Sequence, residues 1–190
     1  MRMDYFGDTF DIVKKSLLNW LHPFGKWSAH PMFTENVDSD RAEEFERFLG
    51  IPLVTREVLR PNSNRSEYFR PCRTCQNLFL DPDIGVRLEE SRSVESPHYI
   101  FAKELIDLVR ARLGFLTMVF DQCLARGKER EQIQRKLRHF CGEEVFGFAY
   151  VSHTSFVILG QAEIVARAKE VLIKASGLPE GRFVEPPAHS

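Results

Sequence analysis

Three aspartates stand directly after short apolar runs, at positions where carboxylates could act on a ligand. Asp81 and Asp83 follow the run at 77–80, and Asp121 follows the run at 115–120. Continuous apolar runs of this length are typical of strands that are buried on both faces of a sheet. Ligands bind at the carboxyl ends of such strands in open α/β sheets. We therefore interpret all three acids as candidate catalytic residues.

A divalent metal ion is one way in which these acids could work. Carboxylates that meet in one cleft repel one another, and a cation relieves that repulsion. Mg²⁺ and Mn²⁺ prefer oxygen ligands and bind to carboxylates together with waters and substrate phosphates. Asp81, Asp83 and Asp121 are therefore predicted metal ligands, and the ion could activate water for phosphodiester hydrolysis. The alternative is structural, because strands often end at Asp and residues 83–85 favour a turn.

The elements that position these acids predict the fold class. Strands and helices alternate through the second half of the chain, which indicates parallel strands joined by crossover helices. The predicted strands are 77–80, 115–120, 145–151 and 155–159, and the predicted helices are 99–113, 127–141 and 161–175. We predict an α/β fold with a doubly wound, mostly parallel sheet, that is, a Rossmann-like three-layer sandwich. It ends in a C-terminal antiparallel hairpin and a final helix.

The segment Asp81-Pro82-Asp83-Ile84 resembles a motif of the class I Rossmann-like methyltransferases. In many members that modify amino groups, the fourth strand ends in Asp or Asn, two prolines and an aromatic residue. The order of elements over residues 77–159 is similar to the closing half of that fold. The resemblance implies S-adenosylmethionine, bound on a glycine-rich turn after the first strand. Here residues 30–35, which follow the first predicted strand, contain no glycine, so S-adenosylmethionine and Mg²⁺ or Mn²⁺ both remain open.

The first predicted helix, 9–21, begins with further charged residues. Asp8 and Asp11 have the spacing of a helix N-cap followed by an acid in the first turn. If this helix starts at the acidic edge, Asp8, Asp11 and Lys14 could instead bind a cofactor. His153, in the turn between the last two strands, is a candidate acid or base near neutral pH. Polar turn residues also commonly satisfy their own backbone, which is the structural alternative.

A basic segment begins shortly after Asp121 and contains Arg126, Lys128, Arg135 and Arg138. Lys and Arg displace counterions from nucleic acid, so these four side chains are candidate nucleic-acid contacts. A solvated helix face is the alternative. Two main classes of function follow: an enzyme that acts on nucleic acid or nucleotides at the acidic strand ends, or a non-catalytic nucleic-acid- or protein-binding module. A small-molecule binder whose loop at 82–97 closes over a ligand is a third.

Composition narrows the class of protein. The chain has 190 residues, of which 43% are hydrophobic, and this suits one α/β domain at 1–178 followed by a Pro-rich tail at 179–190. The net charge of -1 gives no global attraction to nucleic acid, so any such contact must be local. No apolar run approaches the roughly 20 residues that span a bilayer, and the N-terminus lacks a signal-peptide core. We therefore expect a cytoplasmic protein with no membrane partner.

The four cysteines give no complete metal motif. Cys72 and Cys75 have the spacing of zinc ligands, but Cys123 and Cys141 are far apart in the chain. Without a secretory signal, reduced thiols are the expected state.

Overall fold

The computed structural model describes residues 3–89 and 96–187 and shows a mixed α/β fold. The helices are α1 (Thr9–Leu21), α2 (Ser39–Leu49), α3 (Arg65–Phe69), α4 (Ala102–Arg110), α5 (Glu129–Gly142) and α6 (Ala162–Ser176). The strands are β1 (Trp27–His30), β2 (Asn77–Leu80), β3 (Gly85–Arg87), β4 (Tyr99–Phe101), β5 (Thr117–Asp121), β6 (Phe146–Val151), β7 (Ser155–Gly160) and β8 (Phe183–Val184). Within the described part of the chain, no helix is both long enough and apolar enough to cross a membrane.

One six-stranded sheet organises the fold, in the order β1-β2-β5-β7-β6-β8. β1, β2 and β5 run parallel to one another, whereas β7 runs antiparallel to both β5 and β6. The parallel strands are joined by long connections that contain helices, as parallel pairing requires. The sheet is therefore mixed, and the carboxyl ends of its three parallel strands lie at one edge.

The two faces of the sheet carry separate apolar clusters, because side chains alternate along each strand. On β2, Leu80 packs in one cluster and Phe79 in the other, and on β5 Val119 and Phe120 divide in the same way. The buried apolar residues of α4 and α5 belong to the first cluster, and those of α1, α2 and α6, apart from Ala42, belong to the second. We call these two sides the α5 face and the α1 face.

A second, two-stranded sheet occupies part of the region predicted as a loop and a helix start. β3 and β4 pair in parallel from Gly85–Tyr99 to Arg87–Phe101. The predicted helix from residue 99 therefore begins three residues later, at Ala102. Aromatic and β-branched residues favour a strand at 99–101, and the Glu104 carboxylate accepts a hydrogen bond from the Phe101 N–H at the start of α4. Residues 90–95 of the predicted loop lie outside the described ranges.

The packed part of the chain extends beyond the predicted boundary at residue 178. After α6, residues Phe183 and Val184 form β8, which pairs antiparallel with β6 at Tyr150 and Ala149. Both β8 side chains are buried. The segment predicted as a tail therefore contributes a short edge strand, and the last element of the sheet is this strand, not the pair formed by β6 and β7.

Candidate functional site

Two of the predicted acids, Asp81 and Asp121, lie at the carboxyl ends of the neighbouring strands β2 and β5. Their side chains point to opposite faces of the sheet. β2 and β5 are in register at Leu80–Val119, and both of these residues belong to the α5 face. Because side chains alternate, Asp81 points to the α1 face, whereas Asp121, two residues after Val119, points to the α5 face. The hydrogen-bond partners of the two acids confirm this division.

On the α1 face, Asp81 forms part of a buried three-residue cluster. Lys14 Nζ of α1 lies 2.9 Å from Asp81 Oδ2 and 2.8 Å from Asp11 Oδ1. All three side chains are almost fully buried. Burial raises the pKa of the Asp81 carboxyl, and Lys14 opposes that rise. Burial alone would lower the pKa of Lys14, but the two carboxylates together raise it above its usual value, so one ammonium is shared between two acids.

This cluster explains the charged residues at the start of α1 without a cofactor. Asp8 is the N-cap of α1, where its carboxylate accepts hydrogen bonds from the N–H groups of Phe10 and Asp11. The second oxygen of Asp11 accepts from the Gly7 N–H at 2.8 Å. The polar atoms of Asp8, Asp11 and Lys14 bind to the chain itself, and Asp11 and Lys14 are closed off from solvent. Their cofactor-binding role stays a prediction.

On the α5 face, both carboxylate oxygens of Asp121 accept hydrogen bonds. Lys136 Nζ of α5 donates to Asp121 Oδ2 at 2.6 Å, and the backbone N–H groups of Val86 and Cys123 donate to Oδ1 at 3.1 and 3.0 Å. Burial raises the pKa of the Asp121 carboxyl, and Lys136 and the two N–H groups oppose the rise. Asp121 is fully buried, so it anchors β3 and α5 to the end of β5 and has no exposed oxygen for a substrate.

Gly85 allows β3 to approach Asp121 this closely. Its φ of +133° lies in a region that L-residues rarely adopt. A Cβ at this position would lie 2.2 Å from Asp121 Oδ1 and 2.8 Å from its Cα. Only a residue without a side chain fits here.

The three carboxylates therefore do not form the predicted metal site. Asp81 and Asp121 lie on opposite faces, and a lysine ammonium already occupies the place that a cation would take beside each. Among residues 3–89 and 96–187, no group of three His, Cys, Asp or Glu side chains could hold a metal ion. These donors do not fit Mg²⁺ or Mn²⁺.

Asp83 makes a different set of contacts. His98 Nδ1 lies 2.7 Å from Asp83 Oδ2, and the Thr34 hydroxyl donates to the same oxygen at 2.6 Å. The Asp83 side chain is 9% exposed, whereas that of His98 is 35% exposed. A buried carboxylate that binds one nitrogen of a partly exposed imidazole fixes the orientation of the ring, and its contact with Asp83 uses Nδ1 and not Nε2.

The β3–β4 pair holds His98 in this position. The Ile84 N–H, which precedes β3, donates to the His98 carbonyl at 2.9 Å. Arg65 of α3 fixes the same segment, because its guanidinium binds the carbonyls of Ser96 and Tyr99. His98 is not among the site residues predicted from the sequence. The sequence signal that could have found it is the run Tyr99-Ile100-Phe101, which is typical of a strand. A strand there would have placed His98 beside the turn that contains Asp83.

His153 does not join this pair. It is exposed in the turn between β6 and β7, and the described residues offer it no hydrogen bond or ion pair. Its neighbours bind the end of β5 instead, since the hydroxyls of Thr154 and Ser155 donate to the Asp121 carbonyl at 3.2 and 2.9 Å. The turn that carries His153 therefore has a structural role at the end of β5, and the catalytic role of His153 itself stays a prediction.

The predicted basic residues divide between a cleft and open surface. Arg126, Lys128 and Arg138 are exposed, whereas Arg135 lines a cleft of about 540 Å³ between residues 86–89 and the first turns of α5. Arg126 and Lys128 precede α5, which begins at Glu129. Lys136 is the buried partner of Asp121.

The turn after β1 does not provide a site for S-adenosylmethionine. Pro31, Met32 and Phe33 follow the strand directly and are buried, so side chains fill the space where a backbone turn would approach the cofactor. His30, the last residue of β1, is also fully buried and packs against Tyr68 and Phe69. The residues present do not fit this cofactor at this position.

The four cysteines form no disulfide with one another, and Cys72 and Cys75 lie close together in the segment between α3 and β2. Burial raises the pKa of Cys72 to about 12 and also raises that of Cys75, so neither thiol ionises readily near neutral pH.

Comparison with known proteins adds no family to these observations: no protein-family model and no curated protein matches the chain.

Proposed function

We propose that this chain is a Rossmann-like enzyme that hydrolyses a phosphoester in a nucleotide or nucleic acid, with His98 as its general base. The contact between His98 Nδ1 and Asp83 Oδ2, at 2.7 Å, carries the proposal. It couples a partly exposed imidazole to a nearly buried carboxylate at the carboxyl edge of the sheet, where ligands bind in open α/β folds. The parallel strands β1, β2 and β5, with helices on both faces, support the Rossmann-like frame.

Each residue of the pair has a defined task in the proposed reaction. His98 Nε2 accepts a proton from a water molecule, and the water oxygen forms a bond to phosphorus. The bond from phosphorus to the leaving oxygen breaks, and that oxygen departs with the electron pair and takes up the proton from the imidazolium. Asp83 is a positioning residue, because its carboxylate orients the ring and stabilises the imidazolium. Thr34 fixes the carboxylate in turn.

The methyltransferase resemblance contributes only a proposal about the frame of the fold. The motif at 81–84 supports it, but Asp81 is buried against Lys14, and the turn after β1 is filled by side chains. We therefore derive no methyl transfer from this site.

The proposal can be tested by measuring turnover of nucleoside triphosphates, cyclic nucleotides and labelled DNA and RNA by the full chain. We expect His98→Gln to lower kcat by about 100-fold or more, which is typical for the loss of a general base. Asp83→Asn should lower kcat while KM changes little. His153→Gln is the matched control, since its exposed imidazole has no carboxylate partner among the described residues, and it should keep wild-type rates. Equal activity of the His98 and His153 variants, or no turnover of any of these substrates by the wild type, would contradict the proposal.

A non-catalytic nucleic-acid-binding module is the second candidate, and the exposed Arg138 beside Arg135 on α5 favours it. In that case charge reversal at both positions should abolish nucleic-acid binding, and Asp83→Asn should have no effect. Parallel binding and turnover measurements on these variants distinguish the two functions.

A further inference from the structure

We infer that the cleft between β3 and α5 is a phosphate-binding site, with Arg87 and Arg135 as its two principal ligands. The cleft has a volume of about 540 Å³ and is formed by residues 86–89 on one side and α5 on the other. This volume lies within the range of small-molecule sites and suits a nucleotide. Arg87 was not selected by the sequence analysis, because it lies in the region predicted as a loop.

The charge of the cleft favours an anion. Arg87, Arg135 and Lys136 line the cleft. Among the described residues that line it, one carries a carboxylate, the exposed Glu89. The other nearby carboxylate, Asp121, is fully buried and bound to Lys136. The structure records no carboxylate partner for Arg87 or Arg135 among residues 3–89 and 96–187. Two guanidinium groups that have no carboxylate partner among the described residues are therefore available to a ligand.

The donors in the cleft match a phosphate group. A guanidinium offers paired N–H groups that bind phosphate oxygens in a bidentate manner. Lys136 uses two of its three N–H donors, for Asp121 and for the Cys123 carbonyl, so one remains. Gln132 accepts the Ala125 N–H through its side-chain oxygen, which leaves its amide NH₂ as a donor.

Rigid elements hold both arginines. The guanidinium of Arg87 lies 3.9 Å from the centre of the Tyr99 ring, so a cation–π contact fixes it over β4. Arg135 lies on α5 one residue before Lys136, whose ion pair ties the helix to β5. The cleft is therefore bordered by a strand, a helix and a stacked aromatic ring, and the contact with Tyr99 orders the Arg87 side chain before a ligand binds.

The cleft and the His98 pair share one structural unit. Tyr99, whose ring contacts the Arg87 guanidinium, is the residue after His98. Ile84, the residue before β3, donates its N–H to the His98 carbonyl. A phosphate held by Arg87 would thus belong to the same edge as the general base. The role of the cleft in catalysis rests on the proposed function, whereas phosphate binding itself can be measured separately.

Calorimetric titration with inorganic pyrophosphate and ADP, together with fluorescence anisotropy of a labelled single-stranded DNA, tests the site. We expect Arg87→Gln and Arg135→Gln each to weaken binding by about tenfold or more, since each removes charge-assisted hydrogen bonds. ADP that binds more tightly than the DNA indicates a free nucleotide as the source of the phosphate. DNA that binds more tightly, and is displaced by pyrophosphate, indicates a nucleic acid.

Arg41→Gln is the matched control, because Arg41 is an exposed arginine on α2 and does not line the cleft. It should bind every probe as the wild type does, and circular dichroism should show that all variants are folded. His98→Gln should also retain binding, which separates this site from the proposed reaction. The inference is overturned if no probe binds the wild type, or if Arg41→Gln weakens binding as much as Arg135→Gln.

Discussion

The two faces of the sheet each bury an aspartate against a lysine, but the aspartates have different further partners. On each face an aspartate at the end of a parallel strand is buried beneath a lysine from the helix that covers it, Asp81 beneath Lys14 and Asp121 beneath Lys136. On the α1 face the ammonium is shared with a second carboxylate, Asp11. On the α5 face the lysine has one carboxylate, and two backbone N–H groups complete that carboxylate's hydrogen bonds.

The two faces therefore differ in the ratio of lysines to carboxyl groups and in the number of backbone N–H groups that bind the buried aspartate. In the α1-face cluster of described residues, one ammonium contacts two carboxyl groups, so acids outnumber lysines there. The α5 face is balanced, and its acid also joins β3, β5 and α5. A buried ion pair contributes little net stability when intact, but removal of one partner leaves an uncompensated buried charge. The two faces should therefore respond to opposite substitutions.

The largest effect is expected when the lysines are replaced by Met. Lys14→Met leaves Asp11 and Asp81 facing each other without a cation and should cost about 5 kcal/mol, whereas Lys136→Met should cost about 3 kcal/mol because two N–H groups still bind Asp121. Urea unfolding of the two variants measures the free energies. Equal losses would show that the shared ammonium on the α1 face is no more critical than the paired one.

Replacement of the aspartates should reverse this order. Asp121→Asn leaves Lys136 without a carboxylate and should cost about 3 kcal/mol, whereas Asp81→Asn should cost about 1 kcal/mol because Lys14 keeps Asp11. The same unfolding experiment applies, with the four variants compared at one pH. A larger loss for Asp81→Asn than for Asp121→Asn would contradict the charge balance assigned to the two faces.

Gly85 tests how closely the α5 face is packed around Asp121. Gly85→Ala should destabilise the fold by roughly 3 kcal/mol, because the added Cβ meets both the carboxylate and the backbone of Asp121 at an unfavourable φ. Gly114→Ala is the matched control, since Gly114 has a φ of +84° but no atom within 4 Å of the added Cβ. Its expected loss is about 1 kcal/mol. Similar losses for the two variants would mean that backbone strain alone, and not the contact with Asp121, determines the effect.

His30 adds a pH dependence to the α5 face, where it lies in register with Leu80. Burial lowers the pKa of its imidazole from 6.5 to about 3. The unfolded chain therefore takes up a proton at this residue below pH 6.5 and the folded chain does not, so stability is lost as pH falls from 6.5 towards 3. The expected slope is about 1.4 kcal/mol per pH unit.

Urea unfolding of the wild type and His30→Gln between pH 7 and pH 4.5 measures this slope. The variant has no titrating group at position 30 and should lose less stability on acidification by roughly 2 to 3 kcal/mol at the acidic end. His153→Gln, which alters an exposed imidazole, should follow the wild type. A wild-type slope that is unchanged by His30→Gln would show that the buried imidazole is not the group that titrates.

Local sequence signals predicted a large part of the fold. Apolar runs identified β2 and β5, and the Asp8 cap with its apolar periodicity gave the start and end of α1 at the observed residues. The same signals failed at Tyr99, where a helical pattern extended into three residues that pair with β3. Short-range periodicity cannot distinguish these alternatives, because the pairing partner lies 14 residues earlier.

The sequence by itself determined that acids would stand at the carboxyl ends of buried strands and that basic residues would follow Asp121. Only the tertiary structure decided what those acids bind. The register of β2 against β5 sends Asp81 and Asp121 to opposite faces, and a shift of one residue would have reversed the face of either. The lysines, the His98 imidazole and the Arg87 guanidinium reach their partners from other elements, so neither spacing nor residue type along the chain could specify those contacts.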